Sequence, residues 1–290
     1  MTGRVHVVGY LSIDRIEAGG RAMEGVPGGA ALYAALAARA AGATVALHAA
    51  AGEDFSEAWL EQLAARGIDL AGVARKAGPT RRARLAYGPR DARASAHYAE
   101  AAWWERTRAL APSPPATVGG GDVVALMAVP DGVADATLAA ARGAGARIAM
   151  DTSAAFATDG RDAVLARAAM VDCFAPSLEE TRLLHPGLDD DAAAVRLAAS
   201  GCDVLHKRGP AGAYAVAARA DRGVRLPAPK TDLCDPTGAG DSTVGALAAG
   251  LAAGADFVVA ATAALAFGAR CVSGIGPSAL GLDFKETTRQ

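Results

Sequence analysis

Residues 235–246 read DPTGAGDSTVGA. Gly238, Ala239 and Gly240 stand directly before the carboxylate of Asp241, and the chain then runs into small residues with the character of a helix. A helix start leaves several backbone N–H groups without partners and carries partial positive charge, so the amides of 238–241 can form a hole for an anion. Glycine lets the backbone approach such a guest closely. A carboxylate at the mouth of the hole would lie beside the anion, where it can take a proton from an attacking hydroxyl. Anion plus base is the pairing that phosphoryl transfer uses, a reaction governed by positioning and charge stabilisation. Taken alone, the tetrapeptide reads equally well as a turn in which Asp241 caps the helix.

The chain that must position these residues has 290 of them, 52 % hydrophobic, enough for one large core or a core with a small appendage. Its formal charge of -2 comes from intermixed Arg, Asp and Glu, so it advertises no basic face for nucleic acid or anionic lipid. The expected partner is a small molecule. Cys173, Cys202, Cys234 and Cys271 are widely spaced and form no CxxC pair, which points to buried free thiols in a reducing cytosol. The opening MTGRVHVVGYLSID reaches Asp14 without a cleavable small-residue site, so it reads as a first strand and the expected location is cytoplasmic. Residues 243–269 are long enough to span a bilayer, but Asp256, Gly250 and Gly254 divide them, and two close-packed core helices are expected instead of a membrane span.

Apolar runs alternate with helical segments along the chain. VHVVGYL precedes GGAALYAALAARAAG and TVALHAAAG; DVVALMAV precedes VADATLAAARGAG; ARIAMD precedes GRDAVLARAA; VDCFAPS precedes LEETRLLH; DVLHKRG is expected to lead into the helix of the opening motif. Repeated strand-helix units predict a three-layer α/β/α sandwich with a mostly parallel central sheet, in one domain spanning 1–290. Residues 80–99 break the pattern, alternating polar and apolar around a Gly-Pro turn, which predicts a hairpin with one wet face. Together with a second strand-like excursion, they predict a small β-sheet lid formed by about 10–27 and 78–100. Its edge offers a route to a homodimer. APSPPATVGGGD, residues 111–122, reads as a return loop.

With its flanks, DPTGAGDSTVGAL resembles the second signature of the ribokinase-like (PfkB) carbohydrate kinases, and other landmarks follow the family's order over nearly the whole chain: GYLSID, PGGAALYAALAARAAGATVALHAAAGEDF, APSLEE, HKRGPAG and AATAALAFGARCVSGIG. No G-x-x-x-x-G-K-[ST] and no G-x-G-x-x-G after a strand are present, which counts against P-loop and dinucleotide chemistry. The resemblance implies transfer of the γ-phosphate of ATP, with Mg²⁺, to a hydroxyl of a sugar, nucleoside or cyclitol. Asp241 would be the catalytic base, and Gly238, Ala239 and Gly240 the anion hole. Asp14 matches the carboxylate that holds substrate hydroxyls, and Gly28 and Gly29 match the di-glycine lying against the substrate. Lys207, Gly209 and Gly212, with Gly274 and Gly276 from the C-terminal signature, match the surroundings of the nucleotide. Asp235 and Thr237 resemble the start of a monovalent-cation loop, implying K⁺ in some relatives.

Departures from the family fall at informative positions. Glu180 matches the acid of the family's N-x-x-E motif, which organises Mg²⁺ through water, but the Asn is Ser177, and the chain contains no Asn anywhere. Ser177 offers one donor where an amide offers two. Where ribokinase has G-G-K-G-A-N-Q, this chain has GGAALYA, placing Tyr33 either to stack on a substrate ring or to pack its helix. The DPTGAGDS form looks nearer the nucleoside and inositol kinase branches than ribokinase itself. Trp103 and Trp104 follow the hairpin as packing or pocket residues, and Arg82, Arg84 and Arg90 are either solvated charges or contacts for an acidic substrate. The altered N-x-x-E motif leaves one alternative open: a non-catalytic sugar- or nucleoside-binding relative acting as a sensor or partner subunit.

Overall fold

A strand that is apolar on both faces needs cover on both faces, and residues 5–8 are buried accordingly. The computed structural model describes residues 3–88, 93–96, 101–285 and 287–288. The chain runs through β1 (Arg4–Val8), β2 (Ser12–Ala18), β3 (Arg21–Gly28), α1 (Ala30–Ala40), β4 (Thr44–Ala51), α2 (Glu57–Ala65) and β5 (Ile68–Arg75). Next come β6 (Arg84–Tyr87), β7 (Arg93–Ala96), α3 (Ala101–Ala109), β8 (Val123–Leu126), α4 (Asp131–Ala144), β9 (Arg147–Met150), α5 (Ala154–Asp159) and α6 (Arg161–Ala168). The remainder is β10 (Cys173–Phe174), α7 (Leu178–Leu184), α8 (Asp190–Ala198), β11 (Asp203–Lys207), β12 (Ala213–Val216), β13 (Val224–Leu226), α9 (Ala239–Ala252), α10 (Phe257–Cys271) and β14 (Thr287–Thr288).

Among the described residues the main sheet has nine strands in the order β13-β12-β11-β10-β9-β8-β1-β4-β5. Every neighbouring pair from β5 across to β11 is parallel. The period-2 alternation sends Val123 and Ala125 into a core shared with α1, α2, α9 and α10, while Val124 and Leu126 enter a second core shared with α4 to α8. This is the expected three-layer sandwich. One expectation needs correcting: β11 does not lead directly into the motif helix, because β12 and β13 intervene as antiparallel strands at the edge of the sheet. The short segment 224–226 is exposed over its first two residues, as suits an outer strand.

The sheet order reverses at β1, whose neighbours β4 and β8 continue in opposite directions. In such sheets ligands settle beyond the carboxyl ends of the strands at the reversal. Asp151, Ser177 and Lys207 lie at or just after the carboxyl ends of β9, β10 and β11, and the segment leaving the end of β1 leads to Asp14 in β2.

Residues 243–269 resolve into α9 and α10, joined by a turn in which Asp256 caps α10 by accepting the Val258 N–H at 2.9 Å. Among the described residues no helix is long and apolar enough to cross a membrane. Small residues let these helices come close: a Cβ on Gly245 would overlap the backbone of Ala34 in α1, and one on Gly250 would lie 2.8 Å from the Ala260 Cβ in α10.

Among the described residues a second sheet has five strands in the order β14-β3-β2-β6-β7. The predicted hairpin is β6–β7, and β2–β3 supplies the other excursion. The turn between β6 and β7, with Arg90, lies outside the described residues. The unanticipated member is β14, which pairs Thr287 with Glu24 and covers the outer edge of β3; among the described residues β7 is the other edge. Ile16, Ala18, Met23 and Val26 form its apolar face, packed with Tyr87, Ile275 and Phe284. Of the thiols, Cys173, Cys202 and Cys271 are buried, whereas Cys234 is exposed, correcting the expectation of four buried cysteines; it lies in the irregular stretch before Asp235.

The Gly245 contact gives a stability test. Gly245→Ala should destabilise the fold by about 1–3 kcal/mol through overpacking against α1, read from the shift in denaturation midpoint; a midpoint within error of the wild type would mean the helices are not held at this separation.

Candidate active site

The motif sits at the start of α9, with Gly238 as the N-cap residue, Ala239 and Gly240 in the first turn and Asp241 beside them. Gly238 has φ 78°, a left-handed conformation that favours glycine, and its missing Cβ leaves room for the ring of Tyr33 from α1. Tyr33 is 1 % exposed, and its hydroxyl has no hydrogen-bond partner among the described residues. Burial, then the nearby Cys271, Asp235 and Asp14, push its phenol well above the ordinary value. The ring therefore lies between the motif loop and the Asp14 region, supporting the loop from beneath.

Lys207 ends β11 and extends to the other side of the loop, where its Nζ would lie 3.2 Å from a Cβ on Gly240. It is paired with Asp151 Oδ2 at 2.6 Å, and both groups are buried. Burial opposes the ammonium charge, but Asp151, Glu180 and Asp241 outweigh it and hold Lys207 above its ordinary pKa. Asp151, the residue after β9, has its other oxygen on the Thr152 N–H at 2.9 Å. Sequence reasoning passed over Asp151; its signal was a lone carboxylate closing the apolar run ARIAMD at a strand end.

Ser177 and Glu180 are absorbed into a capping box at the start of α7. Glu180 Oε2 accepts the Ser177 N–H at 2.7 Å and Ser177 Oγ accepts the Glu180 N–H at 3.3 Å. The serine that stands in place of the family's Asn thus starts the helix. Glu180's pKa is raised by burial and then by the Asp151 carboxylate, against the pull of Lys207. Asp151, Glu180, Asp241 and Lys207 form one electrostatic cluster against the loop.

Asp14 lies on the opposite side, in β2, 3 % exposed. Its Oδ1 accepts the Ala83 N–H at 3.2 Å, and Gly28 provides the space for its carboxylate, since a Cβ there would overlap Oδ2. Burial raises its pKa to about 6 against the opposing pull of Ser12, Arg81, the Ala83 N–H and Arg82. Gly29, at φ 97°, caps α1 and passes tightly over the Tyr10 carbonyl. Arg81 lies 4.3 Å from the Tyr10 ring centroid and 5.1 Å from that of Trp103. Arg82 and Arg84 are ion-paired with Asp54 at 2.6 Å and Glu17 at 3.5 Å.

Asp235 joins the motif loop to the C-terminal glycine loop, accepting the Thr237 N–H at 2.9 Å and the Gly276 N–H at 2.8 Å. Both of its oxygens are therefore engaged by backbone. Gly274 packs against Ser278 and Ala279. Gly209 lies in the turn after β11 with open space around it, and the Gly212 carbonyl accepts the Arg208 N–H at 2.8 Å. Two other clefts, of about 380 and 460 Å³, share Arg147 and Asp203 at the starts of β9 and β11, the opposite end of the sheet from this cluster.

A family model described as pfkB family carbohydrate kinase matches residues 3–283. The chain belongs to this family. No curated protein matches it significantly. Among solved structures, it is similar to a putative ribokinase II from E. coli in complex with ATP and Mg²⁺, with a TM-score of 0.73 and 23 % identity over 97 % of this chain and 96 % of that one. It is also similar to the aminoimidazole riboside kinase of Salmonella enterica complexed with aminoimidazole riboside and an ATP analogue, with a TM-score of 0.72 and 20 % identity over 97 % and 96 % of the chains. The adenosine kinase of Sinorhizobium meliloti gives a TM-score of 0.75 at 17 % identity, covering 96 % of each chain. At these identities the likeness establishes a shared PfkB architecture, three-layer sandwich and small sheet included.

Within that architecture the buried Asp151–Lys207 pair is open to a direct test. Asp151→Asn leaves the ammonium among fewer carboxylates and should cost about 3 kcal/mol of stability, measured by denaturant unfolding. A loss below about 1 kcal/mol, the range of an exposed pair, would show that the pair is not held away from water.

Proposed function

We propose that the chain is an ATP-dependent kinase that transfers the γ-phosphate to a hydroxyl of a sugar, nucleoside or cyclitol, with Asp241 as general base. The observation that carries this reading is the convergence on one short loop of a helix start, a carboxylate in its first turn and a buried ammonium beside Gly240. The loop N–H groups and Lys207 would receive the transferring phosphoryl group from two sides. The small sheet carries Asp14 and acts as a lid, with Asp14 and the Gly28–Gly29 backbone orienting the acceptor. Asp241 takes the proton from the acceptor hydroxyl as that oxygen attacks phosphorus and the bond to the leaving ADP oxygen breaks.

The donor set suits a magnesium ion that arrives with the nucleotide. Magnesium takes one or two carboxylates and keeps waters and phosphate oxygens as its other ligands. Among the described residues there is no cluster of three or more metal-ligating side chains, while Glu180 and Asp151 lie close enough to raise the Glu180 pKa. Bound there, Mg²⁺ would supply charge neutralisation for the phosphates. Glu180 would hold it through water, and Lys207 would share the phosphate charge.

Two outcomes test the reading. ADP release from ATP and Mg²⁺, assayed over nucleosides, inositols, hexoses, pentoses and aminosugars, should find an acceptor whose turnover falls by about 10²–10⁴-fold in Asp241→Asn; nucleotide binding without ADP release from any of them would favour a non-catalytic binder. Ionised Asp14 accepts hydroxyl hydrogen bonds at both oxygens and more strongly than the neutral acid, so with its pKa near 6 the acceptor kcat/KM should fall as pH drops below about 6. Asp14→Asn, though weaker throughout, should lack that limb; an unchanged limb would assign it to another group.

A further inference from the structure

Tyr87 ends β6 in the small sheet, yet its hydroxyl engages the main domain: Thr237 Oγ1 donates to it at 3.1 Å. Thr237 immediately precedes Gly238, so this contact falls on the entry to the anion loop. The other restraints on Thr237 come from within the main domain. Its N–H goes to Asp235 Oδ1 at 2.9 Å, and its carbonyl accepts from Cys271 Sγ at 3.3 Å. Gly238, next along, rests on the Tyr33 ring. Three groups rooted in the sandwich thus hold the loop from below, and Tyr87 reaches it from the small sheet.

The tyrosine ring is itself anchored. It packs against the small-sheet cluster of Ile16, Ala18, Met23 and Val26, against which Ile275 and Phe284 of the C-terminal segment also pack. Ile275 precedes Gly276, whose N–H is held by the same Asp235 that holds Thr237. Displacement of the small sheet would therefore withdraw a restraint from the motif loop and loosen the apolar packing beside the glycine loop.

We propose that Tyr87 is a positioning residue for the anion hole: through the Thr237 hydroxyl it fixes the amides of 238–241 in their receiving geometry while the small sheet is seated. Closure on the acceptor side and readiness of the phosphate site become one event. The catalytic consequence rests on the kinase reading; the control of loop geometry does not.

Tyr87→Phe removes the hydroxyl and keeps the ring in its apolar cluster, and Thr237→Val removes the other partner. In ligand-free protein, hydrogen exchange at the amides of 238–241 should accelerate about tenfold in either variant, the size expected for one net hydrogen bond. It should accelerate no further in the double variant, while β2 and β3 remain protected as before. Thr237→Ser should restore the wild-type rate. With an acceptor in hand, Tyr87→Phe should lower kcat about tenfold and leave the acceptor KM within about twofold. Unchanged exchange at 238–241 in Tyr87→Phe, or effects of the two single variants that simply add, would overturn the proposal even in an active kinase. Coupled acceleration in a protein without Asp241-dependent turnover would support Tyr87 as the positioning residue and reject the kinase reading.

Discussion

The start of α9 is pressed so closely against α1 that neither Gly238 nor Gly245 has space for a side chain: the first meets the Tyr33 ring and the second the Ala34 backbone. This contact fixes where the motif helix begins. Since α1 itself starts at the tight turn of Gly29 over Tyr10, the Gly28–Gly29 turn and the motif loop are both built at the starts of one pair of packed helices. Packed interiors yield little to small displacements, so the position of the motif loop relative to the Gly29 turn is a property of the core rather than of flexible loops. The alanine and glycine that make the composition look monotonous are what permit that approach.

Around the loop the charges are unequal in number. Lys207 faces Asp151, Glu180 and Asp241, and burial makes each of these interactions count for more than it would in water. Before any ligand arrives, the cluster carries more negative than positive charge, which sets a cost on admitting phosphate alone. A polyanion that brings its own divalent cation meets a different balance. The capping box sharpens this, because Glu180 spends one carboxylate oxygen on the Ser177 N–H while its charge still acts on Lys207. A serine can start α7 in this way where the family has Asn, so the substitution is structurally satisfied within the helix it begins.

Local pattern and long-range assembly were unequally legible. The GAGD turn, the alternation of strands and helices, the division of 243–269 and the 80–99 hairpin all leave signals within a few residues, because each is set by periodicity or by turn chemistry. Asp151 was not legible, since a single Asp after a strand acquires its meaning only when β9 and β11 bring it to Lys207 across β10. The strands β12 and β13 were hidden by brevity and by the charged segment between them, which reads as a loop. Tyr87 looked like one more alternating residue of the hairpin; its contact with Thr237 joins distant parts of the chain.

The small sheet draws on stretches that are far apart along the polypeptide: β2 and β3 near the start, β6 and β7 a third of the way along, and β14 beyond α10. Sheets whose pairings are so non-local close late, because loop-closure entropy must be overcome before the contacts can reward it. During synthesis β3 would therefore wait for almost the whole chain before Thr287 could pair with Glu24. The sandwich can form its local β-α-β units first, and the sheet bearing Asp14 is added afterwards. An order of assembly in which the sandwich precedes the small sheet leaves nascent chains with an unfinished edge, and makes the arrival of the C-terminal segment the step that completes the sheet around Asp14.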